Sequence, residues 1–268
     1  MIDNGKKSIL GVHVDAVNYA AAVDRTIAAA QRRDPFIVAA LPVHGIMTGA
    51  LDPVHRYRLN SFDLVVPDGQ PVRWALNLIH KTSLAERVYG PNLMLALCAR
   101  AAARSLPIYL FGSRQETLDK LRTSLTRKYP RLQIAGSQPG RFTTLSKDER
   151  EQLAMSISAS GAAITFAGLG CPRQEIWAYE NRTSVGMPIV CVGAAFDFHA
   201  GIVPQAPRRL QRAGLEWAFR LRQEPRRLWR RYLYFNPLYL GMIAAQATGA
   251  INYDERPAFP PLGDTNLA

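Results

Sequence analysis

The chain has 268 residues, 48% of them hydrophobic and 20% charged, a balance that fits a folded globular protein and excludes disordered and collagen-like ones. Three scattered cysteines, Cys98, Cys171 and Cys191, form no CxxC pair, which excludes a disulfide scaffold and a thiolate zinc cluster and points to a reducing compartment. The net charge is +12, and +7 of it falls in residues 208–231, where nine arginines meet only Glu216 and Glu224.

The first ten residues hold no apolar run long enough for a signal peptide, so no secretory leader is expected. Short, near-continuous apolar runs follow at 36–41, 62–66, 108–111, 132–135, 162–167 and 189–192. Such runs read as strands of a parallel sheet covered on both faces. Helical patterns lie between them at 71–80, 92–104, 114–129, 146–160 and 173–182. The alternation predicts an α/β fold, a Rossmann-like open, mainly parallel sheet flanked by helices. Ligands of such sheets bind beyond the carboxyl ends of the strands. That rule points at the turns carrying Asp68 and Gly69, Gly112, Gly168 and Gly170, and Gly193 and Ala194.

After Gly201 the pattern changes. Leu210, Gly214, Trp217, Ala218 and Leu221 fall on one helical face, and Pro225 is expected to end that helix after Glu224. A second basic helix with Leu228, Trp229 and Tyr232 leads into a charge-free run at 232–253. Asn236, Pro237, Gly241, Gln246 and Gly249 dilute that run, so a basic, aromatic-rich surface helix is expected rather than a membrane span. The division expected is a core at 1–201, which should fold alone, a basic membrane-associating appendage at 202–253 and a loose tail at 254–268.

Three motifs carry chemistry. In VVPDGQPV (65–72), Asp68 follows a buried strand, where a carboxylate can act as a general base or simply serve a turn. In AGLGCPRQEIWAYE (167–180), glycines precede a helix that starts near Pro172, a geometry suited to phosphate. Its spacing is not GxGxxG, so a nicotinamide dinucleotide is not indicated. In VGAAFDFHAG (192–201), small residues follow a strand and Asp197 is placed to accept from ribose hydroxyls. His199 reads as a satisfied histidine rather than a metal ligand. No Asp-x-Asp pair, Walker loop or nucleophile elbow occurs, and His44, His55 and His80 lack ligand spacing. No metal and no cofactor are expected.

Together these segments resemble the WecG/TagA/CpsF family of bacterial glycosyltransferases. VPDG (66–69), ERVYGPNLM (86–94), IYLFG (108–112), PGRF (139–142), GLGCPRQEIW (168–177), VGAAFDFHAG (192–201), APRRLQRAGLEWAFRL (206–221) and EPRRLWRRY (224–232) carry the likeness. The resemblance implies an inverting, metal-independent transferase. It would move a sugar from a UDP-sugar to a polyprenyl-diphosphate-linked monosaccharide, at the cytoplasmic face of the cell membrane. The products of such a reaction are exopolysaccharides, wall polymers or surface antigens. It implies Asp68 as general base, Arg87 and Gln174 as active-site polar groups, and Arg141 and Asp197 in the nucleotide pocket. Arginines of the appendage, among them Arg212, Arg220, Arg227 and Arg230, would face the diphosphate. The segment LPVHGIMT (41–48) departs from the family pattern: Pro42 stands where an Asn is expected and His44 near an acidic position. His44 therefore enters as a substrate-side residue, and the donor sugar is left open. The alternative is a Rossmann-like RNA-binding or RNA-modifying protein using the arginine-rich tail. Trp and Leu interleaved at helical spacing favour a membrane surface, with no nucleic acid partner, and a homo-oligomer stays open.

Overall fold

A computed structural model of the chain describes residues 1–141, 143–253 and 256–265. The apolar runs pair as six parallel strands: β3 (Ile37–Leu41), β4 (Leu64–Pro67), β5 (Ile108–Gly112), β6 (Ile134–Gln138), β7 (Ile164–Gly168) and β8 (Ile189–Cys191). Their order is β4-β3-β8-β7-β5-β6. Alternate side chains along each strand enter different cores. Ile37, Ala39 and Leu41 join one hydrophobic cluster, and Val38 and Ala40 join the other. Burial on both faces is what makes these strands near-continuous in apolar residues. Edge strand β6 has no fully buried residue, and it starts two residues later than its apolar run.

Helices cover both faces. One core takes α1 (Tyr19–Arg32), α5 (Gly90–Ala103) and α6 (Gln115–Lys128). The other takes α2 (Val43–Leu51), α4 (Gln70–His80), α7 (Lys147–Ala159) and α8 (Arg173–Val185). Short α3 (Pro53–Asn60) is capped by Asp52, which accepts from the Val54 and His55 N–H groups. The sequence pattern did not announce α1, α2 or α3.

Nor did it announce an N-terminal hairpin, β1 (Asp3–Ile9) and β2 (Val12–Val17), which pair antiparallel. Leu10 and Gly11 turn the chain at φ 55° and 82°, the positive pair a tight two-residue hairpin needs. Asp15 of β2 is buried and pins the sheet by accepting from the Val65 N–H at 2.7 Å. That contact fixes β4 three residues before Asp68.

The single helical stripe expected across 210–221 is instead two helices. Gly214, at φ +73°, separates α10 (Arg208–Arg212) from α11 (Glu216–Gln223), and a Cβ there would strike the Trp74 ring at 2.6 Å. The helix end expected before Pro225 is found, with α11 stopping at Gln223 and α12 spanning Pro225–Ala247. No helix among the described residues is long and apolar enough to cross a membrane.

Helix α12 packs on α2 and α4. Tyr239 and Ile243 enter the same cluster as the sheet, and the Tyr239 hydroxyl donates to the Pro71 carbonyl at 3.1 Å. Gln246 clamps the hairpin, accepting from Leu10 N at 2.9 Å and donating to Ser8 O at 3.2 Å. Of the tail expected to be loose, 254–255 and 266–268 lie outside the described residues. Residues 256–265 touch the body: Phe259 N donates to Pro53 O at 3.3 Å, and Asp264 pairs with Arg150.

A chain ended after Gly201 loses Tyr239, Ile243 and Tyr253 from its core. The expected outcome is a lowered melting temperature and dye-binding apolar surface, not an independent unit. Tyr239→Ala in the full chain is expected to cost about 3–5 kcal/mol, as truncation of a buried aromatic does, measurable by denaturant unfolding.

Candidate active site

The carboxyl ends of five strands form one wall of a cleft of about 1490 Å³, lined there by Ala40, Asp68, Ser113, Gly168 and Val192. Helices α11 and α12 form another wall with Glu216, Arg220, Arg227 and Arg230. Ligand pockets commonly measure about 300–1,000 Å³, so this cleft exceeds the usual size for one small ligand.

Asp68 follows β4 directly. Its N–H donates to Leu41 O at 3.2 Å, and its Oδ1 accepts from the Gly90 N–H at 2.6 Å. Burial pushes its pKa up to about 6, against the pull of Arg87 and the Gly90 N–H, with Glu216 adding to the rise. Arg87 is buried, pairs with Glu216 and lies over the Tyr89 ring, 4.1 Å from its centroid. Burial would lower the Arg87 pKa, but Asp68 and Glu216 hold it above its ordinary value. The Tyr89 hydroxyl donates to Glu216 Oε1 at 2.8 Å, and burial, then the two carboxylates, push its pKa up.

Gln174, in the first turn of α8, is buried at the cleft. Its Oε1 accepts from Gly170 N at 3.2 Å, and its Nε2 donates to Glu175 at 2.9 Å. Gly170, at φ +81°, faces open space, so a ligand can approach its backbone. Gly112, at φ +105°, serves packing instead: a Cβ would meet the Gly168 backbone at 2.8 Å. Gly69 is the N-cap of α4 and abuts Pro42. Gly193 and Ala194 line the cleft where β8 leads into α9 (Ala195–His199). Asp197 of α9 also lines it, with its pKa raised by burial against Arg227 and Arg220. His199 faces away, its Nε2 bonded to Pro91 O at 2.8 Å.

His44 lines the cleft, its ring 5.2 Å from that of Phe235 on α12. Arg220 lies over Phe198 at 5.6 Å, and its buried Nε has no hydrogen-bond partner among the described residues. Arg227 reaches Glu224 at 2.5 Å, and Arg230 lies over Trp229 at 5.2 Å.

Two expected residues stand apart. Arg212 is exposed on α10 and does not line the cleft. Arg141 follows β6 at the sheet edge, lines a separate small pocket and pairs with Glu149 at 2.5 Å. Phe142, the last residue of its motif, lies outside the described residues. Tyr89 and Glu216 were not singled out from the sequence, although they stand in the ERVYGPNLM and APRRLQRAGLEWAFRL segments. A lone acid between arginines gives one signal, and only the fold supplies its partners.

A parallel α/β sheet with a buried carboxylate at its strand ends, facing arginine-bearing helices across a wide cleft, fits a group-transfer enzyme. The chain belongs to the glycosyl transferase WecG/TagA/CpsF family, whose model matches residues 7–252, and it is a glycosyltransferase. A relative from Bacillus spizizenii is 32% identical over 204 residues, 76% of each chain. That protein is an N-acetylglucosaminyldiphosphoundecaprenol N-acetyl-beta-D-mannosaminyltransferase.

A carboxylate whose pKa is raised by folding disfavours the native state above about pH 6, less so between pH 6 and 4, and not at all below its unfolded value. Asp68→Asn is therefore expected to stabilise the fold by roughly 1–3 kcal/mol at pH 7.5. The gain should vanish at pH 3.5, as read by paired melting curves.

Proposed function

We propose that the chain transfers a sugar, with inversion, from a UDP-sugar to a hydroxyl of a polyprenyl-diphosphate-linked monosaccharide. The observation that carries this reading is Asp68, raised to about pKa 6 at the carboxyl end of β4, in a cleft whose other wall is cationic. Its Oδ1 is committed to Gly90, which leaves the second oxygen for a substrate. As the acceptor oxygen attacks the anomeric carbon, Asp68 takes its proton. The bond from that carbon to the diphosphate breaks on the opposite face, and UDP leaves with its charge increased. Arg220, Arg227 and Arg230 line the same cleft as Asp68 and would balance that charge, since guanidinium groups suit phosphate in paired geometry. Asp197 and the loop after β8 serve the nucleotide.

The relative's acceptor, an undecaprenyl-diphosphate-linked sugar, supports the acceptor class. The products belong to exopolysaccharide, wall-polymer or surface-antigen synthesis. The enzyme works as a peripheral protein at the cytoplasmic face of the cell membrane. Trp217 on α11 and Leu240 on α12 are exposed and do not line the cleft, while Trp229, Leu233 and Tyr234 are exposed and line it; Arg222 on α11 and Arg226 on α12 are exposed as well. Aromatic rings and arginines suit the headgroup layer, each cation contributing about 1 kcal/mol near anionic lipid. The donor is UDP-glucose, UDP-N-acetylmannosamine or the uronic acid of the latter; Pro42 and His44, which line the cleft, depart from the family pattern where the sugar or the acceptor would be held.

A panel of UDP-sugars with a lipid-diphosphate-monosaccharide acceptor tests the reading, and absence of transfer from every donor would refute it. Asp68→Asn is expected to lower kcat by about 10²–10⁴-fold with UDP affinity kept. The wild-type kcat/KM should rise with pH through an acid limb near 6 and then level. Activity is expected to survive EDTA, because the charge on UDP is met by arginines; loss on chelation with recovery on adding Mg²⁺ would overturn that part.

A further inference from the structure

The chain from Arg87 to Gly90 is held from two sides, and its residues alternate between them. Val88 and Gly90 address the end of β4. The Val88 N–H donates to Pro67 O at 3.0 Å, and the Gly90 N–H to Asp68 Oδ1 at 2.6 Å. Arg87 and Tyr89 address α11. Arg87 Nη2 donates to Glu216 Oε2, and the Tyr89 hydroxyl to Glu216 Oε1. All three of these side chains are buried. A four-residue strap thus joins the proposed base to the first residue of α11. The acid that completes it comes from a segment with a net charge of +7, yet it is spent on a cation of the core.

The charges decide what this contact does. Arg87 lies within the field of two carboxylates, Asp68 and Glu216. A cation beside one carboxylate stabilises its ionised form, and a second carboxylate offsets that effect. Without Glu216, Arg87 answers to Asp68 alone, and a carboxylate neutralised by its own arginine is a weak base. We propose that Glu216 is a positioning residue for the transfer: carried in by α11, it draws Arg87 to itself and leaves the Asp68 carboxylate available to the acceptor proton. The inference rests on the reading of Asp68 as the base.

The groups facing Asp68 come from three parts of the fold. Arg87, Tyr89 and the Gly90 N–H belong to the strap, Glu216 and Arg220 to α11, and Tyr19 to α1. After burial, Arg87, the Gly90 N–H and Arg220 favour the ionised form of Asp68, and Glu216 opposes it. Removing the Glu216 charge deletes an opposing influence and releases Arg87 toward Asp68. Both changes move the Asp68 titration in the same direction, downward. A residue that only steadied the fold would lower the melting temperature and leave that titration where it was.

The test uses the full-length chain with Glu216→Gln, which keeps the shape and an acceptor for Tyr89. The Asp68 carboxyl is followed by carbon-13 NMR across pH, and the acid limb of kcat/KM is measured on the same preparation. Both are expected to fall by about one pH unit, with plateau kcat about three- to tenfold lower and KM changed less. Tyr89→Phe keeps both charges and is expected to leave the titration in place. An Asp68 titration that is unmoved or raised in Glu216→Gln overturns the inference. If the carboxyl signal moves and the acid limb does not, the coupling stands and Asp68 is not the base. Should Glu216→Gln fail to fold, Glu216→Asp withdraws the charge by one methylene. It is expected to shift the titration the same way by a smaller step, and no shift overturns the inference.

Discussion

Arg87 and Glu216 meet out of water, 129 residues apart in sequence. Two charges removed from solvent gain little net stability from each other, but losing either partner costs about 3–5 kcal/mol. Their contact therefore acts less as an adhesive than as a condition on geometry. The α11 helix has one seat, and the strap from Arg87 to Gly90 has one path between that seat and β4. The cleft's two walls, the strand ends and the arginine-bearing helices, hold their relative positions through this pair, through Tyr89 and through the packing of α12 on α2 and α4.

The arginines of 208–231 divide by position. Arg220, Arg227 and Arg230 line the cleft, the last two from exposed positions, while Arg208, Arg209, Arg212, Arg222 and Arg226 are exposed and do not line it. Helical periodicity produces that split, since consecutive basic residues on a helix point in different directions. One stretch of sequence can thus meet a diphosphate on one side and a charged surface on the other. The turn at Gly214 helps, because it resets the helical phase between α10 and α11.

What the sequence disclosed follows from burial. Strands covered on both faces leave runs such as IVAAL and ITFAG, and all six were legible within a few residues. The hairpin strand DNGKKSI faces water along most of its length, so its pattern carries no alternation worth reading. Helix α2 begins after Pro42 with VHGIMTGAL, whose two glycines mask a helix that only its packing stabilises. Asp68 drew notice because it follows a buried strand in a turn motif, Gln174 because of the family likeness, and both line the cleft. Arg141 was expected only from the family likeness; it follows edge strand β6 and lines a separate small pocket. The contact of Glu216 with Arg87 and Tyr89 was not legible, because it exists only once α11 lies against the strap.

The contact between His44 and Phe235 has a bearing on how members of this family diverge. His44 belongs to the early segment that departs from the family pattern, and Phe235 belongs to α12, yet their rings share one wall of the cleft. A change of side chain in one alters the surface that the other must fit. In this chain the two segments have to fit one another. A chimera that exchanges the early loop between relatives while retaining the native C-terminal helix would join two halves of a pocket shaped for different partners.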